Sequence, residues 1–94
     1  MIILIEDSPL KNKRFRVYLS DDRHFDFGQK GGETYIDHSD KVKRENYKKR
    51  HLANIREKYN IDNFIPSPSL FSYYLLWGDS NKLSENIKKL NLKI

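Results

Sequence analysis

Arg14-Phe15-Arg16-Val17-Tyr18-Leu19-Ser20-Asp21-Asp22-Arg23-His24-Phe25-Asp26-Phe27 is the stretch that decides the fold class. Phe15, Val17 and Leu19 alternate with Arg14, Arg16 and Tyr18, and His24-Phe25-Asp26-Phe27 resumes the alternation. Successive side chains of a strand point to opposite sides, so a period of two marks a strand with one buried face. Ser20-Asp21-Asp22 supplies turn chemistry between the runs. Arg14–Leu19 and Arg23–Phe27 are therefore predicted as an antiparallel hairpin.

Outward from the hairpin, Ile2-Ile3-Leu4-Ile5 is a four-residue apolar run, expected as a buried strand, and Asp7-Ser8-Pro9 breaks it. On the other side Gly28 is expected to end the hairpin, with Gln29 to Glu33 a mobile connection. Thr34-Tyr35-Ile36 is expected as a third short strand of the same sheet.

The chain then changes character. From Asp40 to Tyr59 there is no glycine or proline, and eight Lys or Arg stand against three acids. One long helix is expected here, capped by Ser39 or Asp40. Tyr47, His51, Ile55 and Tyr59 recur every four positions and give an apolar stripe on its second half. Its first half has little to bury beyond Val42 and Tyr47, and is expected to project from the core. Two prolines, Pro66 and Pro68, make Ile61–Pro68 an irregular connector. Ser69 is expected to cap a short, almost wholly apolar helix, Leu70–Trp77, central to the core, with Gly78 in the left-handed position after it. Leu83, Ile87 and Leu90 predict a last amphipathic helix. Strands first and helices after give an α+β fold over residues 1–94, a single domain whose core includes Phe15, Val17, Phe71, Leu75 and Trp77.

Bulk properties bound the function. The chain of 94 residues carries a net charge of +5 and only 37% apolar residues, with 13% aromatic. Mean hydropathy is −0.83. Such a chain folds with modest stability unless a partner adds contacts. There is no cysteine, which excludes disulfides and thiolate metal sites. The apolar start is too short for a signal peptide or a membrane span, so a soluble intracellular protein is expected.

A catalytic set is not found. His24, His38 and His51 are far apart, with Asp26 and Asp37 as potential carboxylate companions, and no two histidines share a helix face at ligand spacing. His38, Asn46 and His51 faintly suggest an HNH nuclease, but His38 and Asn46 are too close for a hairpin followed by a metal-binding helix. Gln29-Lys30-Gly31-Gly32 lacks the phosphate-loop pattern. Asp21 and Asp22 read as turn chemistry. Ser67 and Ser69 lack a glycine elbow. No enzyme, metal, cofactor or small-molecule substrate is expected.

The positive signal is the basic helix. Lys41, Lys43, Arg44, Lys48, Lys49, Arg50 and Arg56 are the candidate anion- or partner-binding residues, with Tyr47 placed to stack on an unpaired base. Cations at a helix start repel the macrodipole, which favours an anionic partner there. The plain alternative is a solvated helix that keeps the protein soluble.

Phe15-Arg16-Val17-Tyr18, His24-Phe25-Asp26-Phe27-Gly28, Tyr35-Ile36-Asp37-His38, Arg44-Glu45-Asn46-Tyr47-Lys48-Lys49-Arg50-His51 and Ser72-Tyr73-Tyr74-Leu75-Leu76-Trp77-Gly78 together resemble a family of small uncharacterised proteins encoded by large double-stranded DNA viruses of algae and amoebae. The acidic run which that family carries before the Arg44 segment is here the more basic Ser39-Asp40-Lys41-Val42-Lys43. The resemblance implies a setting and no activity: a virion component, capsid-associated and of the minor or cement type, free in the host cytoplasm or nucleus before assembly. Its partners would be other virion proteins or an acidic protein surface. The alternatives are a DNA- or RNA-binding protein using Lys41–Arg56, and a binder or inhibitor of a host protein.

Overall fold

The computed structural model describes all 94 residues, Met1–Ile94. Three strands, β1 (Ile2–Asp7), β2 (Lys13–Leu19) and β3 (His24–Gln29), form an antiparallel sheet in the order β1-β2-β3. Helices α1 (Tyr35–His38), α2 (Lys41–Leu52), α3 (Ile55–Asp62) and α4 (Pro68–Phe71) follow, then a π-helical turn (Ser72–Leu76) and α5 (Leu83–Asn91). The fold is α+β, as the alternation of period two followed by helical segments predicts.

The hairpin forms as expected, with Phe15 opposite Phe27 and Val17 opposite Phe25. That face packs on the helices: Val17, Leu19 and Phe27 are buried, and Phe15 and Phe25 are half-buried against them. The other face is polar. Arg16 grips Asp26 through two bonds of 3.0 and 3.1 Å, and the Tyr18 hydroxyl donates to Glu6. Cross-strand ion pairs of this kind hold register where no apolar contact does.

The apolar run at the N-terminus is a strand, but it is not buried. β1 lies at the sheet edge, where Ile2 alone is enclosed, Ile5 is half-buried, and Ile3 and Leu4 face solvent. Asn91 of α5 clasps the backbone of Ile2, accepting from its N–H at 2.7 Å and donating to its carbonyl at 3.3 Å. Gly28 does not end the hairpin, since β3 runs on to Gln29. Its φ of +77° lets the chain pass beneath Leu76, whose Cδ1 would lie 3.0 Å from an added Cβ.

Thr34–Ile36 is not a strand. Thr34 is the N-cap of α1, and both its N–H and its hydroxyl donate to Asp37 Oδ2, at 2.8 and 2.9 Å. Asp37 also takes a two-pronged grip from Arg14, both bonds 2.7 Å, which holds its carboxyl well below the usual carboxylate range. A local cap backed by a charged partner outcompetes a three-residue strand.

The expected long helix is two. Asn54 adopts an extended conformation after Ala53, and its side chain accepts from Glu57 N–H at 3.1 Å, starting α3. Asparagine is among the best N-caps, so it breaks a helix that has no glycine or proline. The break redirects the stripe. Ile61 of α3 is buried, whereas Ile55 and Tyr59 are 87% and 61% exposed.

Ser67, not Ser69, caps the apolar segment, accepting from Leu70 N–H with Pro68 at the first helical position. Leu70–Trp77 is central as expected: Leu70, Phe71, Leu75, Leu76 and Trp77 are buried. It is not one regular helix, because Trp77 N–H bonds the Ser72 carbonyl five residues back. Gly78 is not among the glycines of positive φ. It is there for space, because an added Cβ would sit 2.2 Å from the Tyr74 carbonyl oxygen. Asn86 of α5, itself buried, donates to the carbonyls of Leu75 and Ser80 and accepts from Ser80 N–H. No helix is long and apolar enough to cross a membrane.

Candidate anion-docking face

Asp40 begins α2, accepting from Val42 and Lys43 N–H at 3.0 and 3.1 Å, and these bonds lower its pKa. No acid stands within the first turn, so the Asp40 carboxylate at the cap alone offsets Lys41 and Lys43 at the positive end of the helix. Lys49, Arg50 and His51 in the last turn suit the opposite pole.

The sequence-predicted site residues divide into two groups. Tyr47, Arg44 and Lys48 lie on the packed side; in the first half of α2 only Arg44 does so, and Lys41, Val42, Lys43, Glu45 and Asn46 are exposed. Arg44 places its guanidinium 4.5 Å over the Tyr35 ring and reaches the carbonyls of Gly78 and Asp79 at 3.4 Å. Lys48 stands 3.9 Å from Asp79 and 5.3 Å from the Tyr73 ring centre. These two cations are structural ties between α2 and the Trp77–Asp79 turn. The cause is helical spacing, since positions i, i+3 and i+4 share one face.

Tyr47 is corrected most sharply. Its ring lies parallel to Trp77, centroids 4.3 Å apart at 9°, with His51 at 4.0 Å on another side. With the residue only 9% exposed, no nucleic-acid base can stack on it. Burial is also the main reason its phenol pKa is pushed up to about 12, with the Ser72 hydrogen bond acting in the opposite direction. A group whose pKa rises on folding stabilises the fold below its unfolded value, near 10, and loses that contribution as pH climbs to the folded value. Stability should therefore fall between about pH 10 and 12, by on the order of 2 kcal/mol from Tyr47. Urea midpoints measured across that window should show a smaller fall in Tyr47→Phe.

Lys41, Lys43, Lys49 and Arg50 form the second group, with Arg56 on α3. All five are exposed, and none reaches a carboxylate within ion-pair distance. Lys43, Lys49 and Arg50, with Asn46, surround a shallow depression floored by the edge of Trp77. It is the one concave spot on the cationic side of α2. Neither Asn46 nor Trp77 stood among the predicted anion-binding residues, because the depression exists only once α2 is laid across the Trp77 turn.

The histidines are dispersed. His51 Nδ1 pairs with Glu57 at 2.8 Å, while His38 Nδ1 accepts from Asp40 N–H and its ring lies 5.4 Å from Trp77. His24 sits beside Tyr18 on the sheet. No three His, Asp or Glu side chains converge where they could hold a metal ion.

Residues 3–51 match a family of unknown function (DUF5754). The chain belongs to that family. The DUF5754 segment takes in most of β1, the hairpin, α1 and α2 as far as His51, and so contains every free cation of the docking face except Arg56. No curated protein matches the chain. No solved structure matches it either.

Proposed function

We propose that this protein is a non-enzymatic binding component that docks through the cationic face of α2 on the acidic surface of a neighbouring protein. The resemblance to small proteins of large DNA viruses makes a virion shell, with a capsid-associated role, the setting we favour. One observation carries the reading: Lys41, Lys43, Lys49 and Arg50 are exposed and unpaired, while the aromatic that would have stacked on a base lies inside the core. Exposed Ile55 and Tyr59, one turn apart on α3 beside Arg56, add an apolar contact suited to a protein partner.

A second reading places nucleic-acid phosphates on the same face. The depression between Lys43, Lys49 and Arg50 favours it, being able to seat a single phosphate. Affinity for a generic DNA duplex would then fall steeply with salt, since each neutralised phosphate releases a counterion.

Fractionation of purified virions after genome release separates the two. Mass spectrometry should find the protein in the shell, and enrichment with the DNA would favour the second reading. The variant Lys43→Glu/Lys49→Glu/Arg50→Glu should fold normally, as all three side chains are exposed. Its partner affinity should drop about 100-fold, at roughly 1 kcal/mol for each exposed ion pair. Unchanged shell incorporation by that variant would rule out α2 as the docking face.

A further inference from the structure

A second concavity lies by the Gly78 turn, between the segment after α3, α5 and the chain end. It encloses about 300 Å³, at the small end of ligand pockets. Its wall is apolar: Phe64 and Tyr74 stack with centroids 5.2 Å apart at 24°, and Leu90 and Leu92 complete it. Its mouth is cationic. Lys48, Lys89 and Lys93 line it against one carboxylate, Asp79, which already stands 3.9 Å from Lys48. Lys89 and Lys93 are exposed and have no ion-pair partner.

Phe64 sits there at a conformational penalty. Its φ is +52°, the left-handed region in which a bulky side chain is a genuine outlier. The surrounding bonds explain the geometry. Ile65 N–H reaches the Asn60 carbonyl at 2.9 Å and Phe64 N–H the Ile61 carbonyl at 3.3 Å. That is the helix-ending motif in which the left-handed residue is usually glycine. The terminus of α3 would close more comfortably with glycine; the ring that stands there instead packs against the core and lines the pocket. Strain held by a half-buried aromatic at a pocket wall points to binding.

We propose that this pocket binds a small amphipathic anion, a flat or short-chain apolar body bearing one carboxylate, sulfonate or phosphate. The body fills the space against Phe64, Tyr74 and Leu90, and the head group meets Lys89 and Lys93 at the mouth. Lys43, Lys49 and Arg50 do not line the pocket, so this site is independent of the proposed docking face.

Fluorescence titration of the intact chain with anilinonaphthalene sulfonate tests the site. One dye should bind per chain. Decanoate should displace it, and decanol, the neutral counterpart, should compete at least tenfold more weakly. Lys89→Glu/Lys93→Glu, at exposed positions, should weaken dye binding at least tenfold, and Lys43→Glu/Lys49→Glu should leave it unchanged. Phe64→Gly should also weaken binding at least tenfold while its melting midpoint stays within a few degrees of wild type. Multiple dyes per chain, equal competition by decanol, or undiminished binding by Lys89→Glu/Lys93→Glu would overturn the proposal, placing the dye on exposed Ile55 and Tyr59 instead.

Discussion

Trp77→Ala should cost about 3–5 kcal/mol, the usual range for deleting a large buried aromatic. Trp77 is 9% exposed and joins three parts of the molecule. Its ring stacks on Tyr47 of α2 and lies 5.4 Å from His38 at the end of α1, and its own N–H closes the π-helical turn. Alanine would leave Tyr47 facing a void and remove the anchor that seats the basic helix. A domain of this size loses about 4–8 °C of melting midpoint for each kcal/mol, so a drop of roughly 15 °C or more is expected in circular dichroism melts. An unchanged midpoint would mean that the Tyr47–Trp77 stack does not hold α2 to the domain.

Gly78→Ala should be at least as damaging for one added methyl group, by roughly 3 kcal/mol or more. The new Cβ would lie 2.2 Å from the Tyr74 carbonyl oxygen and 2.9 Å from Asn86 Cγ and Oδ1. Neither neighbour can yield cheaply. The Tyr74 carbonyl is backbone within the π-helical turn, and Asn86 is fixed by three hydrogen bonds between α5 and the Leu75–Ser80 segment. Gly31→Ala is the control. That glycine has nothing within 4 Å of an added Cβ, so only the strain of its φ of +84° applies, about 1–2 kcal/mol. Urea denaturation of both variants should rank Gly78→Ala well below Gly31→Ala. Equal midpoints would show that the Gly78 turn relaxes without loss.

The proposed docking face was legible as charge but not as geometry. Lys41, Lys43, Lys49 and Arg50 are on the surface, as their charge demands, since solvating an ammonium or guanidinium group outweighs any local preference. Arg44 and Lys48 are identical to them in composition, yet they tie α2 to the Gly78–Asp79 turn through their long side chains. Tyr47 was placed on the apolar stripe, which is right. Its partner Trp77 lies 30 positions away, and no local pattern announces such a stack. Neither glycine role was legible: Gly28, expected to end the hairpin, has a positive φ within β3, and Gly78, expected in the left-handed position, is required by the atoms that surround it.

The sequence by itself determined the α+β class, the β2–β3 hairpin, the centrality of Leu70–Trp77 and the concentration of positive charge between Asp40 and Tyr59. These follow from alternation, composition and charge, which act over a few neighbouring residues. Tertiary structure decided which side of α2 is free, that Ile61 rather than Ile55 is buried, and that β1 lies at an open edge. It also decided that Phe64 lines a pocket. Each of these depends on what stands opposite a side chain, and long-range packing sets that. A capping asparagine at Asn54 turned the chain by one local hydrogen bond, and everything after it was re-aimed.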